Sequence, residues 1–392
     1  MRLLFVADGR SPTALNWIRY FIDRGDEVFL ASTFACQPDI KLREMEVVPV
    51  AFSGVKSSTS SKTPNRKSRL WGASTLQLRT AIRQWLGPVT IPGAAGRLRA
   101  MIQRTQPDLV HAMRIPYEGM LSADASGLAP LLVSVWGNDF TLHAPSTPLM
   151  RHYTQWTLKV ADALHADCQR DIDLGQKWGF STQKPNLVIP GSGGIRADVF
   201  YTNAVASAEK RPLVVNPRGF RAYVCNEAFF RAIPLVLKER PDARFVCPAM
   251  NAENQVLAWI KDLGIGASVD LLPALPQAQL ADLFRSSQVV VSPTTHDGTP
   301  NSLLEAMACG CFPVAGDLDS IREWITPGQN GLLVDATDPQ LLASAILRGI
   351  NEPALRQKAA EKNAAIIAER AEYESSMLRA VEFYKEITSN TI

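Results

Sequence analysis

No stretch of this sequence approaches the roughly 20 consecutive apolar residues that cross a bilayer as a helix, so no membrane-spanning helix is expected. The opening MRLLFVADGR is too short for a secretory signal and reads as a first strand. Cysteine is sparse. Cys36, Cys168, Cys225, Cys247, Cys309 and Cys311 are scattered, mostly in apolar surroundings, and Cys309-x-Cys311 lacks the second pair that would complete a zinc site. Packing as free thiols is expected, which points to a protein of the reducing cytoplasm. The dinucleotide fingerprint Gly-x-Gly-x-x-Gly is missing after the first strand. Acidic residues are missing from Val47 to Pro107, where ten lysines and arginines stand unopposed.

What is present describes an ordinary globular chain. Its 392 residues suffice for about two domains, each burying its own core, and 46% hydrophobic with 20% charged residues excludes a wholly disordered protein. The net charge of +3 conceals an asymmetry, because outside 47–107 the chain carries 31 basic against 38 acidic residues. Arg2 to Ala7, the turn Asp8-Gly9-Arg10, a helix with Leu15, Ile18, Phe21 and Ile22 on one side, and Glu27 to Ser32 read as a β-α-β opening. Strands and helices alternate thereafter, with no internal repeat. Val188 to Phe200 leads from an apolar strand into a Gly-rich turn, and the polar Tyr201 to Arg211 reads as a linker.

The stretch Val289 to Ala315, VVVSPTTHDGTPNSLLEAMACGCFPVA, reads as strand, loop, helix, strand. Three consecutive valines mark a strand buried on both faces. Asn301 or Ser302 is expected to cap a short helix that Gly310 ends. The loop and helix N-terminus then lie at the carboxyl edge of the sheet, where open α/β sheets bind ligands and helix N-termini attract anions. Asp297 and Glu305 flank the turn. On spacing alone, Ser302-x-x-Glu305 is equally a capping box, with Glu305 as a helix cap.

The run DGTPNSLLEAMACGCFPV resembles the signature of family 4 retaining glycosyltransferases of the GT-B type (glycosyl transferases group 1), in which two glutamates stand eight residues apart before Ala-Met-Ala-x-Gly. Asp297 takes the first glutamate's place, one methylene short, and Glu305 the second. The resemblance implies two Rossmann-like doubly wound α/β domains facing each other across a cleft. It divides the chain into an N-terminal acceptor-binding domain, 1–190, a linker, 191–211, and a nucleotide-sugar-binding domain, 212–370. The last segment, 371–392, is expected as a helix crossing back to the first domain. It further implies transfer of a sugar from a nucleoside diphosphate sugar, the substrate, to a hydroxyl of a saccharide or lipid-linked acceptor, in polysaccharide or glycolipid synthesis. No cofactor and no metal are expected. Asp297 orients the donor sugar, Glu305 binds the ribose, and the loop Gly298, Thr299, Pro300, Asn301 and Ser302 faces the diphosphate. Arg218 fits the family's diphosphate arginine. Tyr223 stands where the family has a lysine, so that half of the clamp is missing or supplied by Arg221. Arg218, Asp297 and Glu305 are therefore the catalytic candidates, and Gly9 a further donor contact in the first loop.

For the acceptor, the candidates are Arg10, with a solvated loop cation as its alternative; His111, with a packed core histidine as its alternative; and Asn138 and Asp139. Trp136 departs from the family, many members of which carry a histidine there. Asp171-x-Asp173 and Asp317-x-Asp319 lie in a helical pattern and a loop, and solvation is expected for both pairs. In the basic region 56–104, Lys56 to Arg69 reads as a flexible loop, followed by a helix with Leu78, Ile82, Trp85 and Leu86 on one face and Arg79 and Arg83 on another. Such helices contact anionic membrane surfaces; a helix packed on its own domain is the alternative. Nucleic acid is not expected as a partner, because no recognition motif accompanies the charge. Rival functions are a nucleotide-sugar epimerase or hydrolase of the same fold, and a degenerate nucleotide-binding protein.

Overall fold

The computed structural model describes residues 1–53, 82–202 and 212–389. The expected loop Lys56–Arg69, and Leu78 and Arg79 of the basic helix, lie outside the described residues, as do 203–211 of the linker. The chain forms two compact units, 1–192 with 377–392 and 193–376.

The first unit contains a seven-stranded sheet, with β1 (Arg2–Ala7), β2 (Glu27–Ser32), β3 (Glu44–Val47), β4 (Leu109–Ala112), β5 (Leu131–Val135), β6 (Ala163–Ala166) and β7 (Asn186–Val188) in the order β3-β2-β1-β4-β5-β6-β7. Every pairing is parallel. Parallel neighbours need crossovers, so helices cover the faces and the strands read as unbroken apolar runs. LLFVA of β1 and LLVSV of β5 are buried throughout. The strand order reverses between β1 and β4. There the crossovers diverge to opposite sides and leave a crevice at the carboxyl ends, formed by the Asp8 to Ser11 turn and by Met113-Arg114.

The Pro12–Asp23 helix begins with Ser11 as N-cap and proline at its first turn, and it buries Ala14, Trp17, Ile18 and Phe21. Leu15 and Ile22, expected in the core, are only half-buried, because the stripe is centred on Trp17. Trp17 Nε1 donates to Tyr384 Oη at 2.8 Å. Tyr384 lies in the last helix, Tyr373–Ser389, which belongs to the first unit from Met377 onward.

The second unit holds β8 (Leu213–Val215), β9 (Arg244–Cys247), β10 (Val269–Leu271), β11 (Val289–Ser292), β12 (Phe312–Gly316) and β13 (Leu332–Val334), all parallel in the order β10-β9-β8-β11-β12-β13. Here the reversal falls between β8 and β11. Val289, Val290 and Val291 are fully buried between helices on both faces. The Asn301–Ala308 helix follows β11 and ends at Gly310, whose φ of +77° suits a residue without a side chain.

Candidate functional site

In the second unit, the carboxyl ends of β8 and β11 bring together Arg218, Asp297, Ser302 and Glu305. Arg218 follows β8. Its N–H is held by the Asn216 side chain at 3.1 Å, its Nη2 bonds Asp297 Oδ2, and its Nη1 lies 3.3 Å from Ser302 Oγ. It is only 8% exposed. Pro300, with neither Asn301 nor Ser302, occupies the N-cap of the Asn301–Ala308 helix, and no side chain closes that end. The expected cap is therefore corrected: proline's fixed φ suits the extended cap position, and the next two residues enter the first turn. The capping-box alternative for Glu305 is not formed either. The helix N-terminus keeps its backbone donors for another partner, and Asn301 Oδ1 is buried with no partner among the described residues.

Burial raises the pKa of both acids. It pushes Glu305 up to about 7, with Arg218 opposing. It also raises Asp297, opposed by Arg218 and then Arg221. Arg221 therefore lies close enough to act on the site electrostatically, although its Nη1 bonds Tyr223 Oη at 2.9 Å on the surface. Of the remaining loop residues, Thr299 is buried and accepts from Trp324 Nε1 at 2.9 Å, so its hydroxyl braces the loop. Gly298 and Pro300 are buried beside it, and Ser320 Oγ holds the Asp297 carbonyl at 2.8 Å.

The first unit has its own crevice at the reversal of its sheet. A cavity of about 200 Å³ is lined by Asp8, Arg10, Phe34, Arg83, Arg114, Glu118 and Trp136, among others. Arg10 lines it, with Nε and Nη2 both on the Asp8 carboxylate at 2.9 Å, and half of its side chain stays in solvent, in keeping with the loop-cation alternative. Gly9 sits where the chain has no room for a side chain: an added Cβ would lie 2.5 Å from Cys36 Sγ and 2.9 Å from Ser32 Oγ. Asn138 Oδ1 accepts from Arg114 Nη2 at 2.7 Å.

Asp139 is buried and already engaged. Its Oδ1 accepts from Arg114 Nε at 2.8 Å, and its Oδ2 from the backbone N–H groups of Trp136 and Ile115. It anchors the loop that presents Asn138 and Arg114, which corrects its expected place at the acceptor. Of the two readings of His111, the structure takes the core one: the ring is 1% exposed, and both nitrogens are bonded inside the sheet layer, to Tyr384 and Ser134. Asp171 is likewise buried instead of solvated, with Arg170 Nε and Nη2 on its Oδ1. Asp167, Cys168 and Asp171 lie close enough together to share a cation, but Arg170 already supplies positive charge to Asp171. Asp173 and Asp317 are at the surface, the latter paired with Arg322.

Reading the sequence missed Arg114, Glu118 and His143, and it put Arg83 on a helix face apart from Ile82, Trp85 and Leu86 without a place in this crevice. The signal for Arg83 was three-dimensional: its guanidinium lies over the rings of Phe34, at 5.2 Å, and Tyr117, at 5.0 Å. Glu118 is buried, with Thr33 Oγ1 donating at 2.7 Å and the Tyr117 N–H at 2.8 Å, and burial raises its pKa. Burial, then Arg114 and Arg83, depress His143 to about 3. The surroundings of His143 are thus electropositive.

Comparison with known proteins bears on both units. The family described as "Glycosyl transferases group 1" matches residues 223–352, and "Glycosyl transferase 4-like" matches residues 58–168. D-inositol 3-phosphate glycosyltransferases of Streptosporangium roseum and Thermobispora bispora are 31% identical over 220 residues and 30% over 170. These alignments cover 51% and 41% of this chain, and 49% and 40% of the relatives. The chain therefore spans about half the length, or less, of the curated relatives it matches. Among solved structures, a sucrose-phosphate synthase from Thermosynechococcus elongatus superposes with a TM-score of 0.75 at 15% identity, covering all of both chains. HepE of Anabaena, in complex with UDP-glucose, does so with 0.72 at 16% identity, covering 98% of this chain and all of its own. At such identities the likeness concerns the fold. Taken with two parallel α/β units, each with its crevice at a sheet reversal, it gives the chain the GT-B fold, and its residues 58–168 and 223–352 are similar to the family 4-like and group 1 glycosyl transferases.

Proposed function

We propose that the chain is a retaining, metal-independent glycosyltransferase that moves a sugar, a hexose or its relative, from a nucleoside diphosphate sugar to a hydroxyl of a saccharide or lipid-linked acceptor. One observation carries the reading: Arg218, Asp297, Ser302 and an uncapped helix N-terminus converge at the sheet reversal of the second unit. When the bond from the anomeric carbon to the diphosphate breaks, negative charge grows on the leaving phosphate. Fixed cations and backbone N–H groups stabilise that charge more than they stabilise the ground state. Arg218 and the N–H groups of the Asn301–Ala308 helix supply this, with Arg221 adding charge nearby. Asp297 orients the sugar hydroxyls and Glu305 the ribose. The acceptor oxygen forms the new bond to the anomeric carbon, and its proton passes to the departing phosphate oxygen. That HepE is solved with UDP-glucose supports placing uridine donors first in a ligand panel.

The test is product analysis with labelled UDP-sugars and then guanosine donors. A glycosylated acceptor with the donor's anomeric configuration, formed also in the presence of EDTA, bears the proposal out. An epimer or free sugar would make the protein an epimerase or hydrolase, and nucleotide binding without product a degenerate relative.

The proposed cellular setting is the cytoplasmic face of a membrane, in polysaccharide or glycolipid synthesis. Ile82, Trp85, Leu86 and Val89 are exposed, Trp85 by 60% and Val89 by 65%. Aromatic and aliphatic side chains so placed suit insertion among headgroups. No helix among the described residues is long and apolar enough to cross a membrane. Trp85→Ser with Leu86→Ser is expected to abolish co-sedimentation with phosphatidylglycerol vesicles; unchanged sedimentation would remove the membrane contact.

A further inference from the structure

The loop from Asp297 to Pro300 is fastened by groups other than Arg218. Two of them come from one short stretch of chain: Ser320 Oγ donates to the Asp297 carbonyl at 2.8 Å, and Trp324 Nε1 donates to Thr299 Oγ1 at 2.9 Å. Ser320 lies in the Asp319–Arg322 helix that follows β12, and Trp324 comes just after that helix. Trp324 and Thr299 are 5% and 4% exposed, so water does not compete for their bond.

The indole is itself fixed from outside the loop. The guanidinium of Arg370, at the end of the Pro353–Arg370 helix, lies 4.4 Å from the centroid of a Trp324 ring, and its Nη1 donates to the Glu323 carbonyl at 2.6 Å. Asn330 Nδ2 donates to the Trp324 carbonyl at 2.9 Å and to Asn363 Oδ1 at 2.8 Å, and Asn363 Nδ2 returns a bond to the Asn330 carbonyl at 3.1 Å. Both asparagines are fully buried. One indole N–H thus ties the loop to a helix far along the chain.

The tie acts next to the helix N-terminus. Thr299 directly precedes Pro300, the N-cap of the Asn301–Ala308 helix, and no side chain closes that end. Where the Thr299 hydroxyl is held therefore decides where the first backbone N–H groups of the helix lie. Such dipoles serve a phosphate best when they are fixed before it arrives, because a loop that the ligand must order spends binding free energy on the ordering. In the donor reading of this unit, these N–H groups meet the phosphate that carries the sugar. A nucleoside monophosphate lacks that phosphate. A loosened Thr299 should then be felt by a diphosphate and hardly at all by the monophosphate.

We propose that Trp324 is a positioning residue which, through Thr299, gives the site its preference for a nucleoside diphosphate over the monophosphate. The inference rests on the donor reading of the second unit, and Trp324 acts in it without touching substrate.

The experiment measures binding of UDP and UMP to the full chain by calorimetry, with GDP and GMP in parallel. Trp324→Phe keeps an aromatic ring under Arg370 and deletes the N–H. It is expected to weaken the diphosphate about tenfold, the scale of one charge-assisted hydrogen bond, and to leave the monophosphate within about twofold. Thr299→Val removes the acceptor of the same bond and should cost the same. The double variant should lose no more than either single one, because both break one interaction. Thermal unfolding checks that the variants fold, and the monophosphate is the internal control, since a general loosening weakens both nucleotides alike. Equal losses for the two nucleotides, additive losses in the double variant, or unchanged diphosphate affinity overturns the proposal. A parent that binds no nucleotide overturns it together with the donor reading. If the preference for diphosphate is lost as expected yet the parent transfers no labelled sugar, the transferase reading fails and the positioning role stands.

Discussion

Replacing Tyr384 by phenylalanine deletes one hydroxyl from the core of the first unit, and its effect can be worked out bond by bond. Tyr384 Oη sits in a chain that runs Trp17 Nε1, Tyr384 Oη, His111, Ser134 Oγ, His165, Ile189 carbonyl, with successive distances of 2.8, 2.6, 2.7, 2.7 and 3.0 Å. The end groups dictate every proton. A carbonyl can only accept, so His165 carries its proton on Nε2 and accepts at Nδ1 from Ser134. Ser134 then accepts from His111 Nε2, so His111 Nδ1 accepts from Tyr384, which in turn accepts from the indole N–H of Trp17. Both histidines are neutral in this arrangement. Burial depresses His165 to about 4 and His111 well below its ordinary value.

In Tyr384→Phe the ring keeps its stacking on Phe21, with centroids 4.7 Å apart and planes 4° from parallel. The apolar contact is retained, and the loss isolates the hydroxyl. Trp17 Nε1 and His111 Nδ1 remain unpaired at positions 0% and 1% exposed. Each orphan costs about 1–3 kcal/mol, part of which is recovered because a phenol no longer has to be desolvated, so a net loss of about 2–4 kcal/mol is expected in urea unfolding near pH 7.5. Proton-detected nitrogen spectra of the wild type should show both histidines as Nε2–H tautomers. A loss under about 0.5 kcal/mol, or an Nδ1–H signal for either ring, would refute the ordered chain. The pH dependence follows with its sign. Between about pH 6.5 and 4 the unfolded chain binds a proton at His165 that the folded chain refuses, so the contribution of His165 is full above this window and falls by about 3 kcal/mol through it as pH drops, and His111 and His143, also depressed, add losses of the same sign.

Other perturbations act on the two crevices. Arg218→Ala removes the charged bonds to Asp297 and to an incoming diphosphate. Donor affinity, read by thermal shift or calorimetry with UDP, is expected to fall roughly 10- to 100-fold. Because Glu305 titrates near 7, the donor KM should fall as pH rises through neutrality and the carboxylate becomes a full acceptor for ribose hydroxyls; Glu305→Gln should flatten that profile, and an identical slope in the variant would dismiss the ribose role. Gly9→Ala should cost about 1–3 kcal/mol of stability, because the new methyl meets Cys36 and Ser32 at under 3 Å, and a neutral result in thermal unfolding would mean that the turn yields freely.

The alternation of apolar strands and amphipathic helices is local information, and it made both sheets legible in advance: β1, β2 and β11 lie where the apolar runs are. The donor loop was legible because its residues are contiguous. What escaped has a common cause. Arg83, Arg114 and Trp136 are 53 residues apart from first to last, and only the crossovers between β1, β4 and β5 bring them to one crevice. The helix around Trp85 reads as amphipathic with arginines outward, yet Arg83 turns toward Phe34 and Tyr117 and the apolar face is the exposed one. Periodicity reports that a helix has two faces and leaves open which one meets the protein. Asp139 reads as an acceptor contact and Asp171 as a solvated helix residue, yet both are buried. Their burial is tolerated because Arg114 and Arg170 pair with them, a compensation visible only once the partners are placed.

The two crevices solve the same electrostatic problem differently, and the difference has consequences for what each can bind. Both sit where a parallel sheet reverses, and both place arginine beside a tight turn. Arg218 is compensated by a carboxylate, so an anion that approaches it must displace or share Asp297. This suits a doubly charged diphosphate, for which the protein's helix N-terminus and nearby Arg221 can outweigh one displaced aspartate. Arg83 is compensated by aromatic faces, which cost an incoming anion nothing to keep. An anion can therefore approach Arg83 without breaking an ion pair among the described residues. The carboxylate-balanced arginine must exchange a partner to take an anion, and the ring-balanced arginine keeps its aromatic contacts whether or not an anion is present.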